Sequence, residues 1–219
     1  PICQFRGTHD LIDELNAEAM PCAGRCDSPV PVLKGHKVHI GTTADNLEQE
    51  PSPLPPPNPG GIKECVFAHI REPGRASLEG YKKTGGYSSL QVALTGKTEQ
   101  LVALITESQL AGRGGAGFST GKKWGMVAEA KGQPKTIVCN ADEGEPGCFK
   151  DRALMDLDPH AVIEGMAIAA HATGATRGFI YLRYEYPHTQ RILEEAVREA
   201  RRVVYAGIAK YACSGFGLE

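Results

Sequence analysis

The chain has 219 residues, room for one ordinary domain and a smaller companion. An apolar share of 41%, a charged share of 23% and a formal charge of -2 describe an ordinary soluble globular protein and give no reason to expect nucleic acid or an anionic membrane as a partner. No apolar run approaches the roughly 18 residues of a membrane span, and no charged-then-apolar signal segment opens the chain, so a cytoplasmic setting without membrane insertion is expected.

In chain order, residues 10–20 place Leu11, Ile12, Leu15 and Ala19 at helical spacing. A cysteine-containing turn follows, then a short strand-like stretch at 30–40. Six prolines within residues 51–61 cannot donate ladder or helix hydrogen bonds and stiffen the backbone, which reads as a spacer. Beyond it, residues 78–94 look like turn and helix, and residues 99–110 like an amphipathic helix. Residues 136–139 make a buried-type strand. Residues 159–173 form an apolar helix stopping at Gly174, where a left-handed cap fits. A strand at 178–184 and a helix at 189–204, with Ile192, Leu193, Val197, Ala200 and Val204 on one side, complete the series. Strand–helix–strand–helix with short connections predicts an α/β fold built on a parallel sheet.

Seven cysteines, Cys3, Cys22, Cys26, Cys65, Cys139, Cys148 and Cys213, make a poor disulfide framework and read as reduced thiols with one ligand-type pair. The chain opens on Pro1 and closes on residues 214–219 without a terminal signature, which reads as a fragment.

The most informative stretch is residues 112–124, with five glycines in ten positions. Such a backbone lets successive N–H groups point at one anion. Arg113, Lys122 and Lys123 add charge for phosphates, while Phe118 and Trp124 offer faces for stacking a ring. Gly112, Gly114 and Gly117 spell the dinucleotide fingerprint, but follow a predicted helix where the fingerprint demands a strand. Residues 116–123 approach a P-loop, with Ala116 at the first glycine and Lys123 where Ser or Thr would hold Mg²⁺. A flexible surface loop is the plain alternative.

Residues 139–152 follow directly on a predicted strand, where ligands of parallel sheets collect. Asp142, Glu143 and Glu145 repel one another unless a partner supplies hydrogen-bond donors. Hydroxyls of a ribose or ribityl chain are donors of that kind; a solvated acidic turn fits the segment equally. Cys139 and Cys148, nine positions apart in numbering, lack zinc spacing.

Together, residues 112–124, 140–152 and the strand at 179–186 resemble the family of flavin-bearing, NADH-oxidising subunits of respiratory complex I and its soluble relatives in NAD-reducing hydrogenases and NAD-dependent formate dehydrogenases. The resemblance covers residues 78–217. It implies an α/β, parallel-sheet FMN-binding domain in which both stretches line one cleft. By residue, it places Gly112, Arg113, Gly114, Lys123, Asn140, Asp142 and Glu143 against FMN. It places Gly115, Ala116, Gly117, Phe118, Glu143 and Glu145 against NAD(H), with Tyr184 and Glu185 as lesser candidates on the cleft wall. No side chain is expected as a general acid or base. The activity implied is exchange of a hydride between NAD(H) and FMN, with single electrons passed to or from iron–sulfur subunits of a larger complex. The family's [4Fe–4S] motif is not in these residues and is expected in a missing C-terminal part.

Residues 22–29, with Cys22 and Cys26, resemble the second ligand pair of the thioredoxin-like [2Fe–2S] domain that accompanies this family. A cluster needs four ligands, and the spacing of Cys3 does not fit the first pair. Either Cys22 and Cys26 are metal ligands, or the segment is a packing remnant that docks a partner subunit. The expected organisation is a partial thioredoxin-like domain at 1–48, a Pro-rich linker at 49–61 and the FMN/NADH domain at 62–219. Fusion of the two suggests the hydrogenase or formate-dehydrogenase type. The alternatives are a complex I-type subunit, a non-catalytic nucleotide-binding remnant and a P-loop phosphotransferase.

Overall fold

The computed structural model describes residues 2–50, 53, 55–210, 217 and 218. Cys213, linker residues Pro51, Ser52 and Leu54, and most of the closing segment 214–219 lie outside the described residues. In order, the elements are helices α1 (Ile2–Phe5) and α2 (Thr8–Leu15), strands β1 (Val30–Lys34), β2 (Lys37–Gly41) and β3 (Glu48–Gln49), and helices α3 (Leu78–Lys83), α4 (Ser88–Thr95), α5 (Thr98–Glu107) and α6 (Thr120–Glu129). Then come β4 (Thr136–Ala141), α7 (Lys150–Leu157), α8 (Pro159–Thr173), β5 (Arg177–Leu182), α9 (Pro187–Lys210) and β6 (Gly217–Leu218).

Two compact units emerge, and neither follows the chain linearly. The first comprises Pro1–Ala76, Asn140–Pro159 and Tyr181–Glu195; the second comprises Ser77–Cys139, His160–Ile180 and Ala196–Glu219.

In the first unit, α2 buries Leu11 and stops at Asn16, whose left-handed φ of 49° sends its N–H back to the carbonyls of Asp13 and Ile12. Asn tolerates that conformation better than most residues, so the helix ends well short of residue 20. The stretch expected as one strand at 30–40 is a hairpin instead. Gly35, at φ 60°, turns the chain so that Val30 pairs with Gly41 and Lys34 with Lys37, antiparallel. β3 adds to its edge, pairing His39 with Gln49.

In the second unit the core gathers Tyr81, Tyr87, Leu90, Ile163, Met166, Ala167, Ala170, Ala196 and Ala200, with Ile137, Cys139 and Ile180 packed against it. Burying an Ile, Leu or Met here contributes about 1.5–3 kcal/mol each. From α8, Ala167 and Ala170 contribute small side chains to this core. Glu164 is buried among them and accepts hydrogen bonds from the N–H groups of Tyr87 (2.8 Å) and Leu90 (2.9 Å), at the start of α4, and from the Tyr81 hydroxyl. A buried charge is tolerable because it answers orphan helix donors. α8 ends as the sequence predicts, at Gly174 with φ 71°. The sheet runs β4-β5-β6, with β5 and β6 parallel and Arg177 opposite Gly217. Strands β4 and β5 are separated in sequence by α7 and α8, and β5 and β6 by α9. The α/β class with a parallel sheet is therefore observed.

Candidate functional site

The glycine-rich stretch is a hairpin in the second unit, carried between α5 and α6. Its base is an antiparallel bridge of Ala111 with Ser119, closed by Gly112 N–H to Phe118 O and Thr120 N–H to Leu110 O, both 2.8 Å. As expected, the loop follows a helix, α5, and not a strand, so the dinucleotide fingerprint has the wrong context.

Residues 113–117 at the tip are exposed, and among the described residues their N–H groups donate to no protein acceptor. Gly115 at φ 108° and Gly117 at φ 60° adopt conformations that L side chains resist. A Cβ at Gly114, Gly115 or Gly117 would meet nothing within 4 Å, leaving the amides open to an incoming ligand. Ser119 then caps α6, its Oγ accepting from Lys122 N–H at 3.3 Å. Lys122 and Lys123 stand exposed in the first turn of that helix, and Arg113 at the tip; none makes an ion pair among the described residues. Open amides, a helix N-terminus and three uncommitted cations are a phosphate-binding set. Phe118, 48% exposed, adds an apolar face beside it.

The acidic segment belongs to the first unit. Asn140 Oδ1 accepts from Asp142 N–H at 3.1 Å, which sets the turn, and Asp142 and Glu145 are exposed. Glu143 behaves differently. The resemblance puts its carboxylate against both cofactors, yet it is 3% exposed and caps α7, accepting from Asp151 N–H (3.0 Å) and Arg152 N–H (3.1 Å). Lys150 Nζ approaches it at 3.3 Å and Asp151 at 2.8 Å; the hydrogen bond to Asp151 raises the lysine pKa, against partial desolvation. The donors that carboxylates at 142–145 were expected to require are, for Glu143, supplied by the protein. Its carboxylate thereby ties the segment to the first turn of α7.

Further buried groups secure that segment. Arg183 donates to the carbonyls of Glu143 and Cys22 and grips Glu185 through Nε (2.9 Å) and Nη2 (2.7 Å). Those hydrogen bonds hold the Glu185 carboxyl below the usual range and raise Arg183. Tyr186, fully buried, stacks with the guanidinium groups of Arg183 (5.2 Å) and Arg25 (5.4 Å).

Cys22 and Cys26 lie near one another and near Cys3, and the six cysteines described are unbridged. Burial pushes the Cys26 thiol up, and Cys22 and Cys3 add to that, while a hydrogen bond from the Gly147 backbone pulls it down. Among the described residues no group of three or more His, Cys, Asp or Glu is arranged to hold a metal ion. A cavity of about 630 Å³ opens beside these thiols, walled by apolar residues such as Leu11, Ile12, Leu15, Val30, Val32 and Leu33. Of the residues named for FMN or NAD(H), it carries only the cleft-wall candidate Tyr184.

The model of the Nuo51 FMN-binding domain matches residues 105–215, about half of the chain. This chain belongs to the Nuo51 FMN-binding domain family. An NADH-quinone oxidoreductase subunit of Rhizobium meliloti (strain 1021) is 51% identical over 158 residues, 72% of this chain and 37% of that protein. NAD-reducing hydrogenase HoxS subunit alpha of Cupriavidus necator (strain ATCC 17699) is 37% identical over 214 residues, 91% of this chain and 35% of that protein. The chain thus spans about a third of the length of these relatives. A solved NAD⁺-reducing [NiFe]-hydrogenase, air-oxidized, superposes on all of this chain and 41% of its own with TM-score 0.67 at 22% identity, which shows a shared fold. The glycine-rich hairpin, the acidic segment, β4 and β5 lie inside the family match, and the Cys22 loop and β6 outside it.

The residues named from the sequence fall into two groups. Gly112, Arg113, Gly114, Gly115, Ala116, Gly117, Phe118 and Lys123 share the hairpin and the first turn of α6; Asn140 is the penultimate residue of β4, and Asp142, Glu143 and Glu145 follow that strand in the stretch before α7. Sequence reasoning missed α6 as a helix, and with it the N-terminus that follows the loop. It also missed Arg152 and Arg183. Their signal was faint: two arginines close to carboxylates, inside segments already counted as motif.

Proposed function

We propose that this chain is the FMN- and NAD(H)-binding part of a diaphorase subunit, which exchanges a hydride between NAD(H) and FMN and relays single electrons to iron–sulfur subunits. One observation carries the reading: the hairpin at 113–117, whose open amides run directly into a lysine-bearing helix N-terminus. Within that set, the amides of Arg113 and Gly114 with Lys123 fit the terminal phosphate of FMN, since they are cationic and, among the described residues, unshared with other protein groups.

FMN, when bound, supplies the two-electron carrier that the nicotinamide reduces or reoxidises. The chain's own residues bind and orient. Gly112, Arg113, Gly114 and Lys123 would hold the flavin phosphate and adjoining chain. Asn140 and Asp142 would accept hydrogen bonds from ribityl hydroxyls, with Glu143 keeping their turn in place. Gly115, Ala116, Gly117 and Phe118 would receive NAD(H), Phe118 by stacking, and Glu145 would accept from a ribose. Their contribution to rate is positioning, because hydride transfer asks for a short, aligned approach of two rings and no protein acid or base. Arg113 and Lys123 also favour additional negative charge on a reduced flavin.

The soluble hydrogenase or formate-dehydrogenase type is favoured over complex I. The hydrogenase subunit aligns with 91% of this chain, the complex I-type subunit with 72%. The added coverage suits a chain in which the cysteine-bearing segment is fused to the flavin domain. Cys22 and Cys26 would then belong to a [2Fe–2S] site completed by ligands beyond the described set, and a [4Fe–4S] centre to the remainder of a longer subunit. The test is anaerobic addition of NADH to the purified complex: the flavin band near about 450 nm should bleach with about one flavin per chain. A colourless complex with no NADH oxidation would sink the reading.

A further inference from the structure

The cysteine loop and the acidic segment are tied by one side chain. The Arg152 guanidinium donates from Nη2 to both carboxylate oxygens of Asp27 (2.8 and 2.9 Å), from Nε to the Gly24 carbonyl (3.1 Å), and meets Asp156 at 3.4 Å through Nη1. Its own main-chain N–H is held by the Glu143 carboxylate at 3.1 Å. Arg152 is 5% exposed while the Asp27 side chain is 41% exposed, so the bonds to Gly24 and Asp156 form away from solvent and the Asp27 pair is partly screened. Gly24 shows how close the fit is: a Cβ there would come within 2.1 Å of the Tyr186 hydroxyl. That hydroxyl in turn faces the Glu143 carbonyl at 3.5 Å.

We propose that Arg152 is a positioning residue for the nucleotide site, acting through Glu143 and anchored by Asp27 of the cysteine loop. This rests on the reading of residues 140–145 as cofactor contacts given above. A side chain gripping Asp27 and Gly24 fixes where the first turn of α7 starts. That start fixes the Glu143 carboxylate, and Glu143 fixes the turn carrying Asp142 and Glu145. None of these groups other than Asp142 and Glu145 needs to touch the ligand. Binding of NAD(H) at the turn and order in the loop at 22–27 are then linked, and linkage is reciprocal.

Two measurements on the flavin-loaded full-length protein test this. Asp27→Asn keeps the shape and removes the charge that orients Arg152; KM for NADH should rise about 3- to 10-fold with kcat within about two-fold. Arg152→Lys should match it, and the double variant should add little. In the unaltered protein, saturating NADH should slow hydrogen–deuterium exchange of backbone amides at 22–27, while an exposed stretch such as residues 60–63 should not respond. An unchanged KM in Asp27→Asn accompanied by a lowered melting temperature would show a merely structural tie and overturn the proposal. So would exchange at 22–27 that ignores NADH in a protein that oxidises it. Failure of the unaltered protein to oxidise NADH would defeat the parent reading instead, and this one with it.

Discussion

Gly121 lies against the backbone of Thr106: a Cβ on Gly121 would fall 2.5 Å from Thr106 Cα and 2.7 Å from its nitrogen. This is where α6 crosses α5, and the crossing sets the two ends of the glycine-rich hairpin. Gly121→Ala must push the helices apart. A loss of about 1–3 kcal/mol is expected, together with weaker FMN binding, because the lysine-bearing first turn moves with the helix. Thermal unfolding and flavin titration of the variant check the two effects separately.

Glu143 caps α7 from a buried position, so truncating it strands donors. Glu143→Ala should cost about 1–3 kcal/mol in urea unfolding. Glu143→Gln retains acceptor oxygen and should recover part of that, which separates the cap from the charge pairing with Lys150.

Two groups near the acidic segment should show opposite pH signatures. Burial raises Tyr186 from its ordinary 10.0 to about 12. The neutral phenol is the form the fold prefers, so its contribution is intact below pH 10 and is lost as pH climbs towards about 12. Glu185 runs the other way: the Arg183 hydrogen bonds lower its pKa, so its contribution holds above the ordinary 4.5 and fades as pH falls through the depressed value. Tyr186→Phe should flatten the alkaline limb of a stability profile, and Glu185→Gln the acid limb, each leaving the other limb in place.

What the sequence made legible was local. The helix at 159–173 and its stop at Gly174 follow from an apolar run and one glycine, and the structure keeps both bounds. The strand at 136–139 runs two residues further, to Ala141, but where a buried strand was expected it alternates exposed with half-buried positions, Val138 being 60% exposed. Residues 30–40 look like one strand because the turn at Gly35-His36 interrupts alternation by only two residues. α6 went unread because Gly121 and Gly125 depress helix propensity, while burial against α5 overrides it. The division into units was beyond reach of composition: Arg152 meets Asp27 across 125 positions, and a contact of that separation leaves no periodic trace. The same holds for Glu143, whose acidic neighbours advertise a ligand while its own carboxylate answers α7.

The central claim is that the open amides of Arg113 and Gly114 with Lys123 take the phosphate of FMN. Comparing FMN with riboflavin, which lacks only that phosphate, tests it most directly. Titrated into flavin-free protein, FMN should bind at least about 100-fold more tightly than riboflavin, and Lys123→Met should shrink the gap by weakening FMN alone. Equal affinity for the two flavins, or a gap untouched in Lys123→Met and in Gly114→Ala, would contradict it.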